Sequence, residues 1–188
     1  MRITGGELRG RSLKVPKSDL IRPTTDRVRE SLFAVLENLI SFENIHVCDV
    51  YAGSGSLGFE ALSRGAASIH FVEKNFVIYK NLYKNIEALN AKERTKVFKT
   101  TALRFSKMKN HERYDLILAD PPFFKFDVHQ VVKNFLENAF LTENGILIVE
   151  RSVQTEKEDT EGFGKKAFKK IGDSLIYGFP KRKEFGDE

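Results

Sequence analysis

The chain has 188 residues, 41% of them hydrophobic and 30% charged, with a formal net charge of +5. That is the size and mixture of a soluble globular protein able to bury about 70% of its unfolded surface. No apolar run approaches the roughly 18 residues of a membrane span, the N-terminus carries no apolar signal core, and the single cysteine, Cys48, excludes an internal disulfide, so a reducing cytoplasm is the expected setting.

Residues 1–23 read as an N-terminal extension with a β-hairpin, its apolar positions being Ile3, Leu8, Leu13 and Val15 and its turns Gly5-Gly6 or Gly10; residues 24–188 read as the main domain. Val28, Leu32, Val35, Leu36 and Leu39 recur at helical spacing and predict a helix to about Ile40, capped within Thr24-Thr25-Asp26. The chain then alternates. A strand is expected over 45–50, a helix over 57–64, a strand over 68–73, a helix over 75–89, a weak strand over 96–99, and a short helix over 102–109. A strand over 114–119, a helix over 128–140 and a strand over 145–150 complete the series. Regular alternation of this kind predicts an α/β fold with a parallel sheet and helices on both faces. Past Glu150 the pattern changes: 154–161 is an acidic loop or short helix, and 165–171 and 174–179 read as two strands joined at Gly172-Asp173, an antiparallel hairpin closing one edge.

The charge is unevenly placed. Residues 1–29 hold eight basic side chains against three acidic ones, while the rest of the chain holds 23 of each sign. A cationic segment ahead of a neutral domain suits a polyanion such as RNA. Arg9, Arg11, Arg22, Arg27 and Arg29 are the candidate phosphate contacts, because guanidinium forks pair well with phosphate oxygens. A solvated basic arm with no partner is the plainer alternative.

The segment Asp49-Val50-Tyr51-Ala52-Gly53-Ser54-Gly55-Ser56-Leu57-Gly58 turns sharply out of the first strand into a helix. Glycines there permit positive φ and close approach to a ligand, and the helix aims its free N–H groups at the same place. Gly53-x-Gly55-x-x-Gly58 also satisfies the dinucleotide fingerprint. Asp49, just before the loop, suits the ammonium of S-adenosylmethionine and would repel a pyrophosphate. Tyr51, Ser54 and Leu57 share the loop. Glu73, ending the second strand, is placed to accept ribose hydroxyls, with Lys74 beside it; the lesser alternative is a polar strand end paired with Lys74. Thr101-Ala102, after the third strand, would lie by the adenine, or form a plain loop.

Asp120-Pro121-Pro122-Phe123 ends the fourth strand, next to the first, where open α/β sheets place their ligands. An exocyclic base amine is a poor nucleophile because its lone pair is delocalised into the ring. The Asp120 carboxylate and the Pro121 carbonyl could each accept one N–H and favour a pyramidal nitrogen. Consecutive prolines stiffen the loop that holds those acceptors, and Phe123 offers a flat face to a flipped base. The alternative is a rigid turn with Phe123 in the core. The four histidines lack metal-ligand spacing, so no metal is expected.

These residues resemble those of the bacterial methyltransferase family that modifies the exocyclic N2 of one guanine in 16S ribosomal RNA. The likeness rests on Arg2-Ile3-Thr4-Gly5-Gly6 with Gly10-Arg11-Ser12-Leu13, on Arg22-Pro23-Thr24-Thr25-Asp26-Arg27-Val28-Arg29-Glu30, and on Asp49 to Gly58 continuing through Glu60-Ala61-Leu62-Ser63-Arg64-Gly65-Ala66. It implies a class I S-adenosylmethionine-dependent methyltransferase: a Rossmann-like, seven-stranded, mostly parallel sheet whose last strand is antiparallel. It further implies a substrate in 16S rRNA, within the small subunit or an assembly intermediate, with Phe123 where that family commonly has tyrosine. The sequence shows no long heptad or obvious exposed apolar stripe, so a monomer is expected. Other acceptors (adenine N6 in DNA, a protein glutamine amide), an NAD-dependent oxidoreductase and a non-catalytic RNA-binding protein are the rival readings.

Overall fold

A computed structural model describes residues 1–15, 25–122 and 127–182. Among these residues the α-helices and strands follow in order: α1 (Asp26–Glu37), β1 (His46–Val50), α2 (Ser56–Ser63), β2 (Ser68–Val72), α3 (Phe76–Ala88), β3 (Thr95–Phe98), α4 (Ala102–Phe105), β4 (Tyr114–Ala119), α5 (Asp127–Glu137), β5 (Leu141–Ser152), α6 (Glu156–Phe163), β6 (Lys169–Ile171) and β7 (Ser174–Pro180). The strands form one seven-stranded sheet in the order β3-β2-β1-β4-β5-β7-β6. β1 to β5 pair in parallel, and β7 runs antiparallel to both β5 and β6. This is the class I methyltransferase architecture. The hairpin of β6 and β7 forms as expected, with β7 inserted beside β5 and the short β6 left at the edge.

Alternation along each strand sorts the core onto two faces. Val47, Phe71, Leu118, Ile148 and Ile176 face α1, α2 and α3 with Leu32, Phe59 and Leu82. Cys48, Val72, Ile117, Leu147 and Tyr177 lie on the other side with Phe105, Val131 and Phe135. Cys48 is thus a buried hydrophobe, and burial pushes its thiol well up.

Several boundaries differ from the sequence-based expectation. α1 stops at Glu37, because the N–H groups of Leu39 and Ile40 both turn back to Leu36. α4 is a single turn capped by Thr101, whose hydroxyl accepts from the Arg104 N–H. β5 begins at Leu141, four residues early, since Leu141 pairs with Tyr114 before a register shift carries Ile146 opposite Leu116. Residues 165–168 lie outside β6.

Residues 1–13 form a tight loop closed by an Arg2–Ser12 antiparallel bridge and laid across α2. Gly6, at φ 73°, lies so close to the Ser63 carbonyl that a Cβ would overlap it. Glu60, wholly buried, holds the loop: its carboxylate accepts from the Thr4 N–H (2.8 Å) and hydroxyl (2.7 Å), the Gly5 N–H (2.8 Å), and the Arg29 and Arg64 guanidinium groups.

Candidate functional site

The sheet reverses its order of winding between β1 and β4, and the carboxyl tips of those strands and their neighbours form the crevice where such sheets bind ligands. The register fixes what stands there. Extending the pairing one residue past Val50–Val72, Val50–Ala119 and Ala119–Val149 aligns Glu73, Tyr51, Asp120 and Glu150 in a row across β2, β1, β4 and β5. Neighbours in such a row are about 4.8 Å apart.

The loop 51–55 stands at the tip of β1, where the sequence predicts the cofactor. Tyr51 (φ 65°), Gly53 (φ 57°) and Gly55 (φ 82°) all take left-handed backbone, a concentration of unusual geometry that marks functional loops. A Cβ on Gly53 would meet nothing nearer than 3.9 Å, so this part of the backbone is open to a ligand. At Gly55 a Cβ would instead strike Leu82 and Phe59, and at Gly58 it would strike Phe71 and Ile69. Gly58 lets α2 pack on β2 and Gly55 lets the start of α2 pack against α3, and Leu57 is buried with them. Glu73 accepts from the Gly53 N–H (3.1 Å) and the Asn75 N–H (2.6 Å), so its carboxylate is oriented by the loop itself. Lys74 is exposed beside it.

Asp49 lies under the loop, 2% exposed, and accepts from the Gly58 N–H at 2.8 Å. Burial pushes its carboxyl up to about 8, against the Gly58 N–H, which pulls it down, and the Glu73 charge, which adds to the rise. Its visible work is to fasten the loop to α2. Ser54 is buried, with its hydroxyl 3.5 Å from the Met1 sulfur and its carbonyl accepting from Asn85. Thr101 caps α4, and Ala102 is buried beneath it. The loop, the N-terminal end of α2 and the Glu73 carboxylate together fit S-adenosylmethionine: an open backbone cradle, the positive end of a helix for a carboxylate and an acceptor for ribose hydroxyls.

At the tip of β4, Asp120 is half-buried directly past the strand, Pro121 is buried and Pro122 is exposed. Phe123 lies outside the described residues, as does Arg22. Two residues beside the crevice, Asp127 and Glu150, were not singled out as site residues in the sequence. The Tyr51 hydroxyl donates to Asp127 of α5 at 3.4 Å and is pushed up by burial and by that carboxylate. Glu150 continues the row next to Asp120. Its signal was present: like Glu73 and Asp120, it is an acidic residue directly after an apolar strand run.

The arginines divide. Arg9, Arg11 and Arg27 are exposed. Arg29, expected to meet phosphate, is fully buried and is spent on Glu60, Asp26 and the Arg2 carbonyl. Its guanidinium binds the fold together and has no route to RNA. The histidines serve local structure, His70 against Tyr114 and His129 against Asp159, and among the described residues no group of three or more His, Cys, Asp or Glu could hold a metal. Nor is any described helix long and apolar enough to cross a membrane.

Fold and crevice together define a class I S-adenosylmethionine-dependent methyltransferase. Comparison with known proteins narrows this: the chain belongs to the family described as Conserved hypothetical protein 95, whose model matches residues 1–179. It is 37% identical over 154 residues to ribosomal RNA small subunit methyltransferase D of Escherichia coli K12, covering 82% of this chain and 76% of that protein. It is 39% identical over 160 residues to the protein of the same name from Haemophilus influenzae, covering 84% and 80%. The solved structure of yhhF from Escherichia coli superposes with a TM-score of 0.79 at 29% identity, covering 96% of this chain and 97% of that one.

Proposed function

We propose that this protein methylates the exocyclic N2 amine of a guanine in 16S ribosomal RNA, within the small ribosomal subunit or an assembly intermediate in the cytoplasm. One observation supports the reading: one step past the strand register, Tyr51 and Glu73 at the tips of β1 and β2 share a row with Asp120 at the tip of β4. The names of the relatives from Escherichia coli and Haemophilus influenzae supply the class of RNA.

In this reading Gly53, Glu73 and the start of α2 hold the cofactor, with Tyr51, Lys74, Thr101 and Ala102 around it and Asp49 securing the loop from below. When bound, S-adenosylmethionine supplies a methyl group made electrophilic by its sulfonium. The Asp120 carboxylate and the Pro121 carbonyl accept the two N–H groups of the amine. This localises the nitrogen lone pair and aims it along the row toward Tyr51. The proline pair holds both acceptors before substrate arrives, so little ordering remains for the reaction step. Phe123 stacks on the flipped base. Arg9, Arg11 and Arg27, exposed on the N-terminal part of the molecule, take the phosphates.

Mass spectrometry of nucleosides from 16S rRNA, from cells with and without this protein, tests the reading. The expected result is one N2-methylguanosine present only with the protein. Methyl transfer to DNA adenine or to a protein amide, with 16S rRNA unchanged, would overturn it.

A further inference from the structure

Glu150 is 7% exposed, and among the described residues only one of its carboxylate oxygens has a partner. Oε1 accepts the Ser174 hydroxyl at 2.6 Å, whereas Oε2 is buried with no hydrogen-bond partner among the described residues. Buried polar atoms are nearly always satisfied, and a carboxylate oxygen left without a donor loses more than a neutral group would. Burial accordingly pushes the Glu150 carboxyl up. An unmet acceptor of this kind either costs stability for nothing or awaits a donor from outside the chain.

Its position favours a donor from outside. Ile148 and Ile176 lie on the α1 side of the sheet, so Glu150, two residues beyond Ile148, emerges on that same face at the carboxyl tip of β5. The register makes it the next residue after Asp120 in the row of tip residues, about 4.8 Å along the sheet and on the side away from the cofactor loop. An amine held by Asp120 and Pro121 therefore has the rest of its base extending toward β5. In guanine the atom next to the amine-bearing carbon is N1, which carries a hydrogen. That N–H donor lies on the same edge as the amine.

We propose, on the footing that guanine N2 is the acceptor, that Glu150 reads the base: Oε2 accepts the N1–H of the target guanine while Ser174 holds the other oxygen. The residue then confers specificity for guanine over purines that lack the N1 proton. A site built to pair with an N–H rejects an analogue without it, because the site's own buried acceptor is left unmet.

The test compares small subunits reconstituted with 16S RNA carrying guanine or 2-aminopurine at the mapped position. 2-Aminopurine keeps the N2 amine but presents a bare lone pair at N1. Wild-type protein should prefer guanine in kcat/KM by about tenfold or more. In Glu150→Gln the amide oxygen can still accept from Ser174, which turns the amide NH2 toward the base, where it matches 2-aminopurine and opposes guanine. The guanine rate should fall at least about tenfold, with 2-aminopurine unchanged or faster, while affinity for S-adenosylhomocysteine stays at the wild-type value. Should Glu150→Gln fail to fold, Glu150→Asp withdraws the carboxylate by one methylene and should likewise erode the guanine preference. Equal loss on both acceptors would assign Glu150 a structural role and overturn the inference while leaving guanine methylation intact. Wild-type protein that methylates neither subunit overturns both readings.

Discussion

Glu60 and Glu150 are both carboxylates inside the protein, and they are treated in opposite ways. Glu60 is saturated: two backbone N–H groups, a threonine hydroxyl and two arginines converge on it. Glu150 has one serine and an empty oxygen. Burying a charge is tolerable when every lone pair is met. Saturation therefore marks a carboxylate that holds the fold, and an unmet oxygen marks one placed for a ligand. Asp49 falls between them, with the Gly58 N–H at 2.8 Å and the cofactor loop overhead.

The largest effect should come from the saturated group. Glu60→Ala removes the buried carboxylate partner of Arg29, which is 0% exposed and keeps Asp26 and the Arg2 carbonyl, and strands the backbone N–H groups of Thr4 and Gly5. Breaking a buried pair from one side costs about 3–5 kcal/mol. Urea denaturation should show a loss of that size. A loss below about 1 kcal/mol, the worth of an exposed pair, would mean that Glu60 is no keystone and that the contrast with Glu150 has no energetic basis.

Asp120→Ala should act on rate instead. Losing one preorganised polar contact costs about two to three decades in kcat, or about 3–4 kcal/mol of barrier. The urea midpoint and the affinity for S-adenosylhomocysteine should stay near wild type. Near-normal turnover would remove Asp120 from the reaction, and a fall in stability to match would move it into the class of Glu60.

What the sequence made legible follows from how local each signal is. β1, α2 and β4 were readable because an apolar run stops at Gly53 or Pro121, residues that punctuate a chain by themselves. The early start of β5 was hidden, since Thr142-Glu143-Asn144 reads as polar loop and joins the strand only through a register shift against β4. The fate of Arg29 could not be read either. Its partner Glu60 lies 31 positions away on another helix, and nothing beside Arg29 distinguishes a buried arginine from an RNA-facing one. Glu150 was visible as the acidic end of a strand, but its empty oxygen exists only once Ser174 of β7 has folded back beside it.

Asp49 gives a pH test of the intermediate case. Its folded value is raised to about 8, while an unfolded aspartate titrates near 3.8. Between those values the folded chain holds a proton that the unfolded chain has released. Its stabilising contribution is therefore complete below about pH 4 and is lost as pH rises through about 8. The wild-type unfolding free energy should decline across that window by up to about 1.4 kcal/mol per pH unit from this group. Asp49→Asn should flatten the decline. An unchanged slope in the variant would show Asp49 already ionised, its charge met as fully as that of Glu60.

The smallest effect concerns the arginines that Glu60 leaves untouched. Arg29 and Arg64 are consumed inside the clamp, whereas Arg9 and Arg11 remain exposed on the loop it holds, Arg11 resting on the Ala88 carbonyl. If these two meet phosphates, Arg9→Ala with Arg11→Ala releases two fewer counterions on binding RNA. The salt slope should then shrink by up to about two units. Between 50 and 200 mM salt that makes the variant less salt-sensitive than wild type by about tenfold in affinity. The clamp should be undisturbed, so stability and turnover at saturating RNA should hold. An unchanged slope would move the footprint to another cationic surface, such as Lys165-Lys166 or Lys169-Lys170. In that event the loop that Glu60 secures would serve the fold alone, and the division between holding and binding would run between the two halves of the sheet rather than between individual side chains.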